Sequence, residues 1–185
     1  MASEARKFAV RAHVGQFYGN YPFVYHLDAV ASMVAPHGVV VTAAAFLHDV
    51  LEDTAVTPSV LLRNGFPEDV VRIVEIVTDP KMPTRAERKA QVNARLLNCA
   101  VTRPPAELAG RTVEHLAVIL KVADRLANVR ESVATALAGN PKSLNRYRRE
   151  WGEFHSAVHF APGVGGMLIE LQGIFGNASH QQSGL

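Results

Sequence analysis

The sequence predicts an all-α protein, a single helical bundle of about eight to nine helices, and three observations carry that prediction. Apolar residues recur at three- and four-residue intervals, as in Val70, Ile73, Val74 and Val77 and again in Leu116, Ile119, Leu120, Ala123 and Leu126, which is the period of a helix with one face buried. No segment sustains the alternation of apolar and polar residues that a half-buried strand requires. Helix start and stop signals also punctuate the chain at short, regular intervals.

Taken in order, the first signal is Tyr21-Pro22-Phe23-Val24-Tyr25-His26, where His26 opens a helix containing Val30, Met33 and Val34. The apolar run Gly38 to Leu47 follows and leads into His48-Asp49. Read as one continuing helix, His48 and Glu52 share a face at i, i+4, as do Asp49 and Asp53. Thr57-Pro58 and Pro67-Glu68-Asp69 are helix starts with proline in the first turn. Asn64-Gly65 suits a helix C-terminus better than a hairpin turn. Thr84 and Glu87 have capping-box spacing after a loop from Asp79 to Pro83. Pro104-Pro105 and Asn140-Pro141 are further breaks, and Gly139 ends a long helix that starts near Val113. Pro162 to Gly166 lacks the lysine and the preceding strand of a phosphate loop, so it reads as a helix–helix connection. Residues 1–176 form the one domain, and 177–185, polar and small, form a flexible C-terminal tail.

Composition narrows the function. A chain of 185 residues with 48% hydrophobic and 19% charged residues has enough material for a sizeable core and is not disordered. The net charge of +2 argues against nucleic acid as the main partner. Cys99 alone cannot form an internal disulfide, which suits a reducing compartment. Glu4, Arg6 and Lys7 interrupt any apolar signal region, and the Gly38–Leu47 run is too short to span a bilayer, so a cytoplasmic protein with no membrane partner is expected.

The chemistry concentrates in three places. His48-Asp49-Val50-Leu51-Glu52-Asp53 sets three acids and a histidine directly after an apolar run. Taken alone it is consistent with a solvated helix end, but buried carboxylates need pairing or a metal. Asp124 interrupts an apolar helix with Asn128 one turn later; alone, it is consistent with a buried pair with Arg125. His26, alone, is consistent with an ordinary core histidine. Together His26, His48, Asp49 and Asp124 supply two imidazoles and two carboxylates, a mixed set that suits a six-coordinate divalent ion such as manganese or iron and is a poor match to structural zinc.

The order His…His-Asp…Asp resembles the HD superfamily of metal-dependent phosphohydrolases. The segments that carry the resemblance run from Phe8 to about Phe160. They include Ala12-His13-Val14-Gly15-Gln16, Leu47-His48-Asp49-Val50-Leu51-Glu52-Asp53-Thr54 and Lys121-Val122-Ala123-Asp124-Arg125-Leu126-Ala127-Asn128. Within the superfamily the chain looks most like the Rel/Spo-type hydrolase domain and the stand-alone small alarmone hydrolases, all-helical enzymes that use manganese to remove the 3′-pyrophosphate of guanosine tetra- and pentaphosphate. The resemblance implies that His26, His48, Asp49 and Asp124 hold one divalent ion, manganese, with iron, cobalt, nickel or magnesium as other candidates. It implies that Glu52 and Asp53 orient and activate the attacking water and that Asn128 lies beside the ribose. Arg88 and Lys89, in a Glu-Arg-Lys stretch like that of relatives, become candidate phosphate contacts, although a solvated helix face is the competing reading. Lys121 is placed to pair with an acid of the site. The chain ends where the synthetase domain of long relatives would begin, so a hydrolase without that domain is expected.

One departure bears on specificity. Relatives acting on guanosine tetraphosphate carry an arginine two residues after the Gly-Gln, against the base. Here Gly15-Gln16 is followed by Phe17-Tyr18, leaving Tyr18 as the candidate base contact. It can stack but has no guanidinium. Two other readings therefore stand beside the alarmone hydrolase: an HD-fold phosphatase acting on other nucleotides or phosphorylated dinucleotide cofactors, and a non-catalytic nucleotide sensor. The small nucleotide is the expected partner in every case, and oligomeric state is not readable. His13 and His37 flank the first helices, and His13 is expected to support or pack; His115, His155, His159 and His180 are expected to be surface or structural, and Arg146 to Arg149 with Glu150 and Glu153 to be a charged solvent face. Asp28 stands near the proposed acids in sequence.

Overall fold

A computed structural model of the protein describes residues 1–103 and 111–177. The architecture is the expected all-α bundle: α1 (Ala2–Ala12), α2 (Val24–Val34), α3 (Val39–Leu47), α4 (Val50–Asp53), α5 (Pro58–Arg63), α6 (Glu68–Val77), α7 (Arg85–Ala100), α8 (Val113–Leu137), α9 (Lys142–Val158) and α10 (Gly165–Asn177). The expected Pro104-Pro105 break, His180 and the tail beyond Asn177 lie outside the described residues.

Two helices organise the rest. In α3, every residue from Ala43 to Leu47 is buried, and its three consecutive alanines let α1, α2, α6 and α8 approach closely. Helix α8 is buried on all sides from His115 to Ala123 and packs against α2, α6, α7, α9 and α10, as a helix apolar around its whole circumference must. The amphipathic helices cover this centre. Helix α6 turns Val70, Ile73, Val74 and Val77 inward and places Glu68 and Asp69 in its first turn, where they favour the helix dipole.

The local signals explain most boundaries. The Thr84 hydroxyl and Glu87 form a reciprocal capping box at the start of α7. Asn64 caps α5 and Gly65 follows at φ 82°, a conformation glycine adopts without strain. Gly139 at φ 94° follows the C-cap of α8. Pro67 stands at the N-cap of α6 rather than inside its first turn. Asp28 belongs to a bidentate pair with Arg6 that joins α2 to α1, not to the acidic centre.

Two larger features also differ from expectation. A two-residue hairpin, β1 (Phe17–Tyr18) with β2 (Tyr21–Pro22), sits between α1 and α2 and pairs Tyr18 with Tyr21. Strands this short display no alternation, so periodicity does not register them. The second difference is at the centre of the site: the helix does not run through His48. Helix α3 ends at Leu47, and α4 restarts at Val50 with Asp49 as its N-cap.

Candidate metal centre and active site

The break at His48-Asp49 is what builds the site. On a continuous helix adjacent side chains point about 100° apart and do not meet. Here His48 Nε2 lies 3.0 Å from Asp49 Oδ2. The Asp49 carboxylate makes no capping bond to its own helix; it turns to the centre, while its carbonyl still accepts the Asp53 amide at 2.9 Å.

Helix α2 delivers His26 and helix α8 delivers Asp124 to the same point. The two imidazole Nε2 atoms face each other at 3.2 Å. His26 Nε2 is 3.5 Å from Asp49 Oδ2 and 3.4 Å from Asp124 Oδ1, and His48 Nε2 is 3.6 Å from Asp124 Oδ1. Nitrogen and oxygen ligands about 2.0–2.2 Å from one ion sit roughly 3 Å apart when adjacent, so this donor set fits a divalent metal. The tautomer of His48 agrees. Its Nδ1 donates to the Ala45 carbonyl at 2.7 Å, which leaves the Nε2 lone pair directed at the centre.

The electrostatics point the same way. Burial opposes the Asp49 carboxylate, but the His48 and His26 rings outweigh it and hold its pKa well below the ordinary range. Burial likewise opposes Asp124, and Lys121 with the two imidazoles outweighs it. His26 and His48 are pushed up, against burial, by the same two carboxylates. A centre that draws protons this way draws a cation.

Glu52 and Asp53 behave oppositely. Burial, then the nearby Asp79, raises the pKa of Glu52; burial, then Asp49, raises that of Asp53. Both line a cavity of about 200 Å³ alongside His26, Asp49 and Asp124. The Asp79 amide donates to Glu52 Oε2 at 3.3 Å. The Asp53 backbone carbonyl accepts from Gln16 Nε2 at 3.0 Å, and Gln16 Oε1 accepts from His13 Nδ1 at 2.7 Å. Buried and stacked on Phe23, His13 thus supports the end of α4.

Of the residues expected near substrate, Tyr18, Lys89 and Asn128 line this cavity. Lys89 is tied to Asp79 Oδ2 at 2.5 Å, and Lys121 lies 3.4 Å from Asp124 Oδ2 and 3.8 Å from Asp79 Oδ1. Lys121 therefore pairs with the acids, as its spacing suggests. Asn128 Nδ2 donates to Asp124 Oδ1 at 2.6 Å. Arg88 lies in a neighbouring cavity that shares Glu52 and Asp53 as walls, and it donates to the Met82 carbonyl.

Sequence reasoning misses Arg85, Arg125 and Tyr147, which complete the cavity wall. Arg125 does not pair with Asp124. It donates to Glu150 Oε2 at 2.9 Å and stacks over Tyr147 and Phe154. Arg85 grips the same Glu150. Glu150 consequently faces inward, against the expectation of a wholly solvent-facing charged stretch. The signal available in the sequence was only that Glu150 follows a basic run at helical spacing; its partners stand on other helices.

This helical bundle brings a histidine–aspartate pair at a helix break together with a histidine and an aspartate from flanking helices, a set of side chains that could hold a metal ion. The HD domain family model matches residues 5–150, and the chain belongs to that family. It is 32% identical over 176 residues to a guanosine-3′,5′-bis(diphosphate) 3′-pyrophosphohydrolase of Haemophilus influenzae, covering 91% of this chain but only 24% of that protein. The pyrophosphohydrolase MESH1 of Danio rerio is 33% identical over 135 residues, covering 69% of this chain and 67% of that one. A solved metazoan ortholog of SpoT, described as hydrolysing ppGpp, superposes with a TM-score of 0.71 at 24% identity over 100% of this chain and 96% of its own, a likeness of fold.

Proposed function

We propose that the protein is a metal-dependent nucleotide phosphohydrolase that removes the 3′-pyrophosphate from guanosine tetra- or pentaphosphate. The observation that carries this reading is the convergence of His26, His48, Asp49 and Asp124 within 3.0–3.6 Å contacts, with Glu52 and Asp53 on the wall of the same cavity. The names of the Haemophilus and Danio relatives supply the substrate class.

His26, His48, Asp49 and Asp124 would hold one divalent ion, manganese in this reading, which when bound makes a water more acidic and offsets negative charge on phosphoryl oxygens. The remaining work falls to the chain. Glu52, whose affinity for a proton is raised by burial and by Asp79, accepts the proton of the attacking water. Asp53 orients that water. Lys89, Arg88 and the cationic wall of the cavity meet the phosphates, Asn128 meets the ribose, and Tyr18 lies at the nucleoside end. Water attacks the phosphorus attached to the 3′-oxygen; that P–O bond breaks, the 3′-oxygen leaves as a hydroxyl once protonated, and the products are pyrophosphate and the guanosine 5′-di- or triphosphate. Among the described residues no helix is long and apolar enough to cross a membrane.

Tyr18, at the position where such relatives carry arginine, favours one second reading: turnover of other nucleotides or phosphorylated dinucleotide cofactors, with orthophosphate released. Initial rates on guanosine tetraphosphate and a panel of ordinary nucleotides, with manganese present, separate the two. The proposal expects the tetraphosphate to be preferred by at least tenfold in kcat/KM. Equal or greater turnover of the panel contradicts it.

A further inference from the structure

The two imidazoles of the metal centre are held by different means. His48 Nδ1 is anchored to the Ala45 carbonyl, whereas His26 Nδ1 is buried without a hydrogen-bond partner among the described residues. A ligand histidine ordinarily has its second nitrogen hydrogen-bonded, and that bond sets the plane of the ring. In His26 the restraint is aromatic. Tyr18 stacks on the ring with centroids 4.6 Å apart and an angle of 29°, and Phe23 meets it edge-on at 5.8 Å and 61°. Tyr18 and Phe23 are themselves in a T-shaped contact at 6.4 Å.

The other end of Tyr18 reaches a second ligand. Its hydroxyl donates to Asn128 Oδ1 at 3.1 Å. Asn128 Nδ2 in turn donates at 2.6 Å to Asp124 Oδ1, the oxygen that faces both imidazoles. The hairpin that carries Tyr18 is seated against α8: Gly19 has φ 58°, and a Cβ there would stand 3.0 Å from Glu131 Oε1.

We infer that Tyr18 is a positioning residue of the metal centre: its ring orients His26 and its hydroxyl, through Asn128, orients Asp124. One side chain from the hairpin thereby braces ligands delivered by α2 and α8. This differs from a base-stacking role, because one face of the ring is taken by His26. It rests on the metal-dependent reading above.

The test is titration of Co2+ alone into the full, metal-free chain, followed by calorimetry and by the visible absorption of the bound ion. The wild-type protein is expected to take one ion. Tyr18→Phe keeps the stack and loses one hydrogen bond, so its affinity falls by a few fold with the absorption bands retained. Tyr18→Leu loses both, so its affinity falls about 10- to 100-fold and the bands shift. Thermal unfolding of the metal-free variants shows whether each is folded, and Tyr18→Met replaces the leucine variant if that one does not fold. Affinity within twofold of wild type and unchanged bands in the leucine or methionine variant overturn the inference and leave Tyr18 to the substrate alone. A phenylalanine variant as weak as the leucine variant overturns the stacking role. Failure of the wild type to bind Co2+ sinks the metal-dependent reading itself, a different result from either.

Discussion

At the scale of single residues, the proposed function separates groups that hold charge from groups that move protons. Asp49 touches both imidazoles, so Asp49→Ala removes a proposed ligand and the charge that balances two rings. Metal content measured on the purified variant should fall to background, and turnover at least a hundredfold with it. Glu52 stands on the cavity wall and is held by the Asp79 amide. Glu52→Gln should keep one metal per chain while kcat drops about 10²- to 10⁴-fold, the range of a lost general base; a variant with wild-type kcat would remove Glu52 from the mechanism. The residue types at this centre are legible in the sequence because His-Asp, Glu-Asp and the later Asp each stand out against apolar surroundings. The manner in which His48 and Asp49 meet is not. Neighbours in sequence converge only because the helix breaks between Leu47 and Val50, and no proline or glycine marks that break.

At the scale of elements, the clearest joint is the one that sequence reasoning misplaces. Arg85 of α7, Arg125 of α8 and Glu150 of α9 meet through hydrogen bonds of 2.7, 2.9 and 3.2 Å. Burial acts to raise the Glu150 pKa, but the hydrogen bonds from Arg85 and Arg125 outweigh it and lower it. The folded state therefore releases this proton more readily than the unfolded chain. The stabilisation is present above the ordinary carboxylate value and is lost as pH falls through the lowered one. Glu150→Gln should cost roughly 2 kcal/mol at neutral pH, because two partly buried guanidinium groups lose their counter-charge. Thermal unfolding between pH 7 and pH 3 should show a shallower loss for the variant than for the wild type, and parallel curves would contradict the linkage. Caps and breaks, by contrast, are local chemistry, and the Thr84–Glu87 box and the Asn64-Gly65 terminus are where the sequence indicates. The hairpin of Phe17 to Pro22 is too short for any period, although it carries Tyr18 into the cavity.

At the scale of the whole molecule, the metal centre ties α2, the α3–α4 break and α8 together. If these four side chains ligate one ion as proposed, binding is a folding term as well as a catalytic one. An ion present at about 100 times its Kd adds about 2.7 kcal/mol, which for a domain of this size raises Tm by roughly 5–10 °C. Chelation of a loaded sample should reverse that shift, and an Asp49→Ala sample should show none. The bundle is legible from period and punctuation because each helix announces its own buried face. What joins distant helices, such as Arg125 with Glu150, depends on packing that no local pattern contains. The net charge of +2 likewise conceals a division between acids gathered at one centre and basic side chains on the cavity wall, suited to a small and highly charged anion rather than a long polyanion.

The measurement closest to the central claim is phosphorus NMR of guanosine tetraphosphate incubated with the manganese-supplied protein and, in parallel, with its Asp49→Ala variant. Inorganic pyrophosphate should appear together with guanosine 5′-diphosphate in the wild-type sample and in neither form with the variant. Intact tetraphosphate in the wild-type sample, orthophosphate in place of pyrophosphate, or equal turnover by the variant would contradict the account.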